Sequence, residues 1–312
     1  MGRSVGVDLG GTKILAVVVD GGRVVERVKL DTPRTGSPDD VLDAVAKAVR
    51  QIDLGGSDGP VGVGVPGPVF PGTGVVPAAP NLPNWSHDVA VADGLSERLG
   101  GRKVLIGNDC NLSTLAEYRL GAGRGADDLL GLFVGTGVGA GLVLDGVLRQ
   151  GRRGLAGEIG HTFVSFPDLA DGVGVGRGEL EDYSGRAALQ ERVELADPTE
   201  AATLQGLRRK GRIKSSAWEQ ALDQNDPLAR RLVAEAGSAL AAAIASVVAL
   251  LDLDRVVLGG GFAGRLGEPF RRQIELEVHA RGFAGATAAV VHSELGDLAG
   301  ALGAALLPWE PQ

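Results

Sequence analysis

Val5-Gly6-Val7-Asp8-Leu9-Gly10-Gly11-Thr12-Lys13 decides how this chain is read. An apolar, β-branched run delivers a carboxylate, two glycines, a hydroxyl and an ammonium in quick succession. The glycines let backbone N–H groups face phosphate oxygens. Thr12 and Lys13 can donate to the same oxygens, and Asp8 can hold a hydrated Mg²⁺. The plainer alternative is a hairpin with a glycine turn. The same punctuation recurs along the chain. Val61–Val65 stops at Pro66-Gly67-Pro68, and Val104–Ile106 stops at Gly107-Asn108-Asp109. Leu129–Val134 stops at Gly135-Thr136-Gly137-Val138-Gly139, and Val256–Leu258 at Gly259-Gly260-Gly261. Strands that end in glycine turns predict an α/β protein whose backbone approaches a ligand.

Helical signals fall between these strands. Gly21-Gly22 suits a tight hairpin turn, and Ser37-Pro38 opens a helix with Val41, Leu42, Val45 and Val49 at helical spacing. Leu112 to Tyr118 reads as a helix directly after Asp109. Asp226-Pro227 opens a long helix to about Leu251, with proline in its first turn. Residues 195–225 read as helical and polar, and Leu298 to Leu307 as a final helix. No repeat of 20–50 residues is visible, although two βββα-like halves fit the pattern.

Composition bounds the function. With 312 residues, the chain exceeds one ordinary domain, so two lobes are expected. A net charge of −8 argues against a nucleic-acid surface, which needs clustered positive charge. Cys110 is the single cysteine, so neither an internal disulfide nor a multi-cysteine metal site can form. Together with an N-terminus that enters a strand at once, this leads us to expect a cytoplasmic protein. The longest apolar stretch, Leu240 to Leu251, is shorter than the ~20 residues of a membrane span, so a buried core helix is expected there and no membrane partner.

Three further groups carry chemistry. Gly135-Thr136-Gly137 is a second phosphate-type turn, and Gly259-Gly260-Gly261-Phe262 could pass close to a nucleobase or ribose. Both match the dinucleotide fingerprint in part. However, Leu142-Val143-Leu144 follows the first as a strand rather than the required helix, and too little chain follows the second. No G-x-x-x-x-G-K-[ST] segment is present. Asn108-Asp109 sits at a strand tip before a helix. A carboxylate there can take the proton of an attacking hydroxyl, or merely cap the helix. Glu158-Ile159-Gly160-His161, with Glu181 downstream, supplies carboxylates and an imidazole suited to paired sugar hydroxyls. His87, His279 and His292 have no such neighbours.

At these residues the sequence resembles the ROK family of repressors, open reading frames and sugar kinases, and within it the bacterial glucokinases. The matches run almost end to end: Asp8–Lys13, Val65-Pro66-Gly67-Pro68, Pro80-Asn81-Leu82-Pro83-Asn84-Trp85, Asn108-Asp109, Gly135–Gly139, Gly157–His161, Glu181 and Val257–Gly261. Any one is weak; their order and spacing are specific. The resemblance implies a two-lobed, actin-like, hexokinase-type α/β fold of the ribonuclease H-like kind, with a central cleft. The small lobe would be residues 1–109, completed by a C-terminal helix in 296–312, and the large lobe 110–295. It implies ATP and Mg²⁺ as cofactors and a hexose as substrate, glucose first. Asp109 would be the catalytic base. Gly67, Asn81, Asn108, Asp109, Glu158, His161 and Glu181 would bind sugar. Asp8, Gly10, Gly11, Thr12, Lys13, Gly135, Thr136, Gly137, Gly260 and Gly261 would bind nucleotide. A homodimer or higher homo-oligomer is expected. Other hexoses, N-acetylated sugars and polyphosphate as donor stay open, as does a non-catalytic sugar-sensing regulator. The family's repressors carry an extra N-terminal domain; this chain starts at the phosphate turn, so a kinase is expected.

One departure is plain. The family has C-x-C-G-x-x-G-C-x-E after the histidine, whose cysteines bind zinc with that histidine. Anchored on Glu181, those cysteine positions are Gly172, Gly174 and Glu179 here. No structural zinc is expected. A carboxylate would then orient His161, with Glu179 as the first candidate and Asp171 or Asp182 as the others.

Overall fold

The computed structural model describes residues 2–53, 59–77, 79, 82–165 and 178–310. Asn81, Asp171, Gly172 and Gly174, singled out above, lie outside the described residues.

In chain order the elements are strands β1 (Ser4–Leu9), β2 (Lys13–Asp20) and β3 (Arg23–Asp31), helix α1 (Pro38–Ile52), strands β4 (Val61–Val65), β5 (Val75–Val76) and β6 (Val89–Ala90), helix α2 (Val91–Arg98), β7 (Val104–Asn108) and α3 (Asp109–Leu120). There follow β8 (Leu129–Val134), β9 (Val138–Leu144), β10 (Val147–Arg149), then α4 (Leu180–Ser184), α5 (Arg186–Leu195), α6 (Pro198–Gly206), α7 (Ser215–Asp223) and α8 (Pro227–Leu251). Strand β11 (Arg255–Gly259), α9 (Ala263–Arg281), β12 (Ala289–His292) and α10 (Ala299–Leu306) complete the series. Local chemistry accounts for the boundaries. Gly21 and Gly22 both have positive φ, which the β2–β3 turn requires. Asp226 accepts the backbone N–H of Ala229 and Pro227 follows, so α8 starts where its cap and first-turn proline dictate.

Two five-stranded sheets share one strand order. The first is β3-β2-β1-β4-β7, the second β10-β9-β8-β11-β12. In each, an antiparallel hairpin is extended by parallel strands. The two sheets are thus copies of one topology, in keeping with the two βββα-like halves of the sequence pattern, and no repeat of residues accompanies it.

Contacts divide the chain into two units. The first is Met1–Gly125, Gly141–Gly157 and Glu294–Gln312; the second is Ala126–Ala140 and Glu158–Ser293. The first unit includes α3, which packs on α10, together with the C-terminal helix. In the first unit, Val5, Val7, Ile14, Val61 and Val63 pack under α1 and α2, while Leu15, Val17 and Val19 pack under α10. Gly6 and Gly62 permit that second contact. A Cβ on either would strike the backbone carbonyl of Ala301 or Ala304.

In the second unit, α8 packs against α4 and α9. It is long and apolar enough to cross a membrane by composition alone. Leu228, Leu232, Leu240, Ile244 and Val248 along it are buried in the protein, as a core helix requires.

Candidate active site

In the first unit, Asp8 is the penultimate residue of β1, and the chain reverses tightly through Gly10–Thr12 into β2. Gly10 N–H donates to the Lys13 carbonyl at 2.9 Å, and Thr32 Oγ1 donates to the Gly10 carbonyl at 2.6 Å. Asp8 is buried. Burial first, then the charge of Asp109, raises its pKa to about 7; Lys13 lowers it and Asp297 raises it. The start of α10 seals this carboxylate, since a Cβ on Gly300 would lie 2.9 Å from its carbon. Lys13 Nζ pairs with Asp297 at 2.8 Å, so a carboxylate that sequence reading passed over holds the ammonium. Their separation of 284 positions left no local signal.

Asn108 and Asp109 form the β7–α3 junction. The helix cap is Asn108, whose Oδ1 accepts the Asn111 N–H at 2.9 Å. Its Nδ2 donates to the Gly67 carbonyl at 3.1 Å and to Asp109 Oδ1 at 3.2 Å. Gly67 has φ 88°, a conformation open to glycine, and this turns its carbonyl toward Asn108. Asp109 is the first helical residue, and its Oδ1 also accepts the Cys110 N–H at 2.8 Å. Capping is therefore the work of Asn108, and the alternative reading of Asp109 as the N-cap fails.

The second unit brings Glu158, His161 and Glu181 together with the Gly135–Gly137 turn. His161 closes a 3₁₀ turn, Ile159–His161, and its Nδ1 lies 2.9 Å from Glu179 Oε2. Glu179 is also the N-cap of α4, in a reciprocal box with Asp182. Two residues on, Glu181 Oε2 accepts the Val138 N–H at 2.6 Å. Gly137 leaves room for that carboxylate, which a Cβ would overlap. The hydrogen bond to Glu179 is the main cause of a raised His161 pKa, with the charges of Glu179, Glu158 and Glu181 adding to it against partial burial. Burial raises the Glu158 pKa, Glu181 raises it further and His161 lowers it. Gly135 N–H donates to the Gly137 carbonyl at 2.9 Å, closing the turn and leaving Thr136 exposed. Gly260, with φ 90°, packs so closely on Val134 that no side chain fits, whereas Gly261 faces open space. A cavity of about 550 Å³ adjoins α9, with Leu222, Arg230, Arg265, Leu266 and Phe270 in its wall.

A zinc ion held with His161 would need three thiolates. Two of the positions that would supply thiolates are glycine and the third, Glu179, is engaged with His161. The donor set does not fit a tetrahedral N/S site.

A ROK family model matches residues 4–310. The chain belongs to the ROK family. It is 34% identical to a glucokinase of Thermotoga maritima over 97% of this chain and 96% of the relative. Against the N-acetylgalactosamine kinase AgaK of a Shewanella strain identity is 34%, over 83% of this chain and 81% of that one. Among solved structures, the ROK family glucokinase from Streptomyces griseus, in complex with glucose and AMPPNP, superposes with a TM-score of 0.81 at 35% identity, covering 98% of this chain and 99% of that one. The fold is the two-lobed α/β fold of ROK hexokinases and glucokinases.

Proposed function

We propose that this protein transfers the terminal phosphoryl group of ATP to a hexose hydroxyl, with glucose as first substrate. The observation that carries the reading is the β7–α3 junction. Asn108 performs the capping, so Asp109 is not needed as the cap, and its carboxylate, held at Oδ1 by Cys110 N–H and Asn108 Nδ2, stands at a strand tip where it can take the proton of the attacking hydroxyl. Phosphoryl transfer needs little covalent help from protein. It needs an oriented acceptor, a base and countercharge for the phosphates. Glu158, His161 and Glu181 supply polar groups of the kind that hold paired hydroxyls, and Asn108 and Gly67 add to them. The Asp8–Lys13, Gly135–Gly137 and Gly260–Gly261 turns serve the phosphate chain. The cavity beside α9 has the volume and mixed lining that a nucleoside needs.

Mg²⁺, when bound, neutralises charge developing on the transferred group. The negative charge that Asp109 and Asp297 add around Asp8 fits a cation held through water. A cytoplasmic location and a homo-oligomer belong to the same proposal. The relation to AgaK supports N-acetylated hexoses as a second acceptor class.

A coupled assay of ADP release across a panel of hexoses and N-acetylhexosamines, with and without Mg²⁺, tests the reading. Mg²⁺-dependent release with glucose is expected. If no sugar raised ADP formation above the sugar-free background, the kinase reading would be wrong and the sugar-sensing regulator would take its place.

A further inference from the structure

The Gly135–Gly137 turn is clasped by a cation that sequence reading missed. Arg186 opens α5. Its Nη2 donates to Thr136 Oγ1 at 2.9 Å and its Nη1 to the Ile213 carbonyl at 3.1 Å. The backbone repeats the clasp: Arg186 N–H donates to the Gly135 carbonyl at 3.2 Å, and Ala187 N–H to the Thr136 carbonyl at 2.9 Å. The guanidinium is partly buried, and burial, then the charge of Arg212, pushes its pKa down. Among the described residues neither Arg186 nor Arg212 makes an ion pair.

The surroundings deepen the imbalance. Arg208-Arg209-Lys210-Gly211-Arg212-Ile213-Lys214 carries five cations and no acid, in a chain whose net charge is −8, and of these Arg208 pairs with Glu194 at 2.8 Å. The segment doubles back on itself, with Arg209 and Arg212 paired backbone to backbone and Lys210 and Gly211 at positive φ. Arg186 ties this segment, through Ile213, to the Thr136 turn. Two guanidiniums without a carboxylate repel each other, and an anion between them would turn that repulsion into charge-assisted hydrogen bonds. The hydroxyl of Thr136 has one hydrogen to donate. By accepting from Arg186 it keeps that hydrogen for another acceptor.

We propose that Arg186, with Arg212 adding to the local charge, binds the phosphate chain of the phosphoryl donor at the Gly135–Gly137 turn and sets the Thr136 hydroxyl as a donor to the same chain. The ligand chemistry is a phosphoric anhydride, whether part of a nucleotide or free. The inference rests on the sugar-kinase reading for its biological meaning and not for its anion.

Inorganic tripolyphosphate is titrated calorimetrically into the full-length protein and into Arg186→Gln, Arg186→Lys and Arg212→Gln, and steady-state kinetics are measured with ATP and sugar. Wild type should bind tripolyphosphate, and ATP should displace it. Loss of charged hydrogen bonds in Arg186→Gln should weaken tripolyphosphate binding and raise the KM for ATP, each by about tenfold or more, with the KM for sugar nearly unchanged. Arg186→Lys should recover part of the loss. Unaltered tripolyphosphate affinity in Arg186→Gln would overturn the proposal. So would a parallel rise in both KM values with Lys no better than Gln, the behaviour of a purely structural clasp. Should Arg186→Gln fail to fold, exposed Arg212 decides, since Arg212→Gln must still weaken tripolyphosphate binding. A wild type that binds tripolyphosphate but phosphorylates no sugar overturns the kinase reading alone.

Discussion

Asp8→Asn should make the protein more stable and less active, by an amount the structure allows to be worked out. The substitution keeps the size of the side chain and removes its charge. Burial and Asp109 raise the Asp8 pKa from 3.8 to about 7. At ~1.4 kcal/mol per pKa unit, an ionised Asp8 costs the folded state about 4 kcal/mol. An acid whose folded pKa is raised binds its proton more tightly when folded. Its stabilising contribution is therefore complete below the unfolded pKa and is lost as pH rises through the folded one, here between 3.8 and about 7. Asparagine has nothing to lose over that range. The variant should match wild type near the lower limit and exceed it increasingly up to about pH 8, where a difference approaching 4 kcal/mol corresponds to roughly 8 °C or more in the melting temperature of a unit this size. Phosphoryl transfer should fall, since stability and activity then draw on one charge in opposite directions. Thermal unfolding across pH, beside the coupled ADP assay, measures both. A variant less stable than wild type at about pH 8, or a gap that does not change with pH, would refute the argument.

Asp109→Asn should lower turnover by ~10²–10⁴ with sugar binding largely kept; activity within about tenfold of wild type would show that no proton passes to this carboxylate. Glu179→Gln removes the main cause of the raised His161 pKa, so the acid limb of the KM–pH profile for sugar should move to lower pH, and an unmoved limb would dismiss Glu179 as the group that orients the imidazole. Treatment with a zinc-selective chelator should leave activity intact, and co-loss of stoichiometric zinc and activity in metal analysis would contradict the donor set. Gly303→Ala should destabilise by about 1–3 kcal/mol, because its Cβ would strike the Leu112 carbonyl where α10 crosses α3; denaturant unfolding reads this directly.

What sequence could show was set by range. Strand ends and helix starts were legible because their causes are local. Asp226-Pro227 marks α8 to the residue, and the glycines after Leu9, Val134 and Leu258 mark strand tips. Asn108-Asp109 was legible as a junction, but not the division of labour within it, which depends on the Gly67 carbonyl 41 positions away. Glu179 could be nominated from the missing cysteines, yet only the folded bridge between Phe163 and Glu179 brings its carboxylate to His161. Asp297 and Arg186 gave no local sign. A lone acid before a helix and an arginine at a helix start are common surface residues, and their partners lie 284 and 50 positions away. The strand-order repeat was legible as two βββα-like halves in the pattern of elements and not as a repeat of residues, because topology survives when side chains diverge.

The packing of α10 on the first sheet has a consequence for the order of biosynthesis. Gly6, Leu15 and Val17 leave the ribosome long before Ala301, Leu302 and Ala305, which cover them. Throughout translation of everything between, one face of that sheet must stay uncovered or be sheltered by a chaperone. Asp8 would spend the same interval in water with an ordinary carboxylate pKa, and it acquires its unusual one only when Gly300 closes over it. A nascent chain stalled before α10 would therefore expose an aggregation-prone apolar face, and the turn after Asp8 would mature only after the sequence of the second unit had been made.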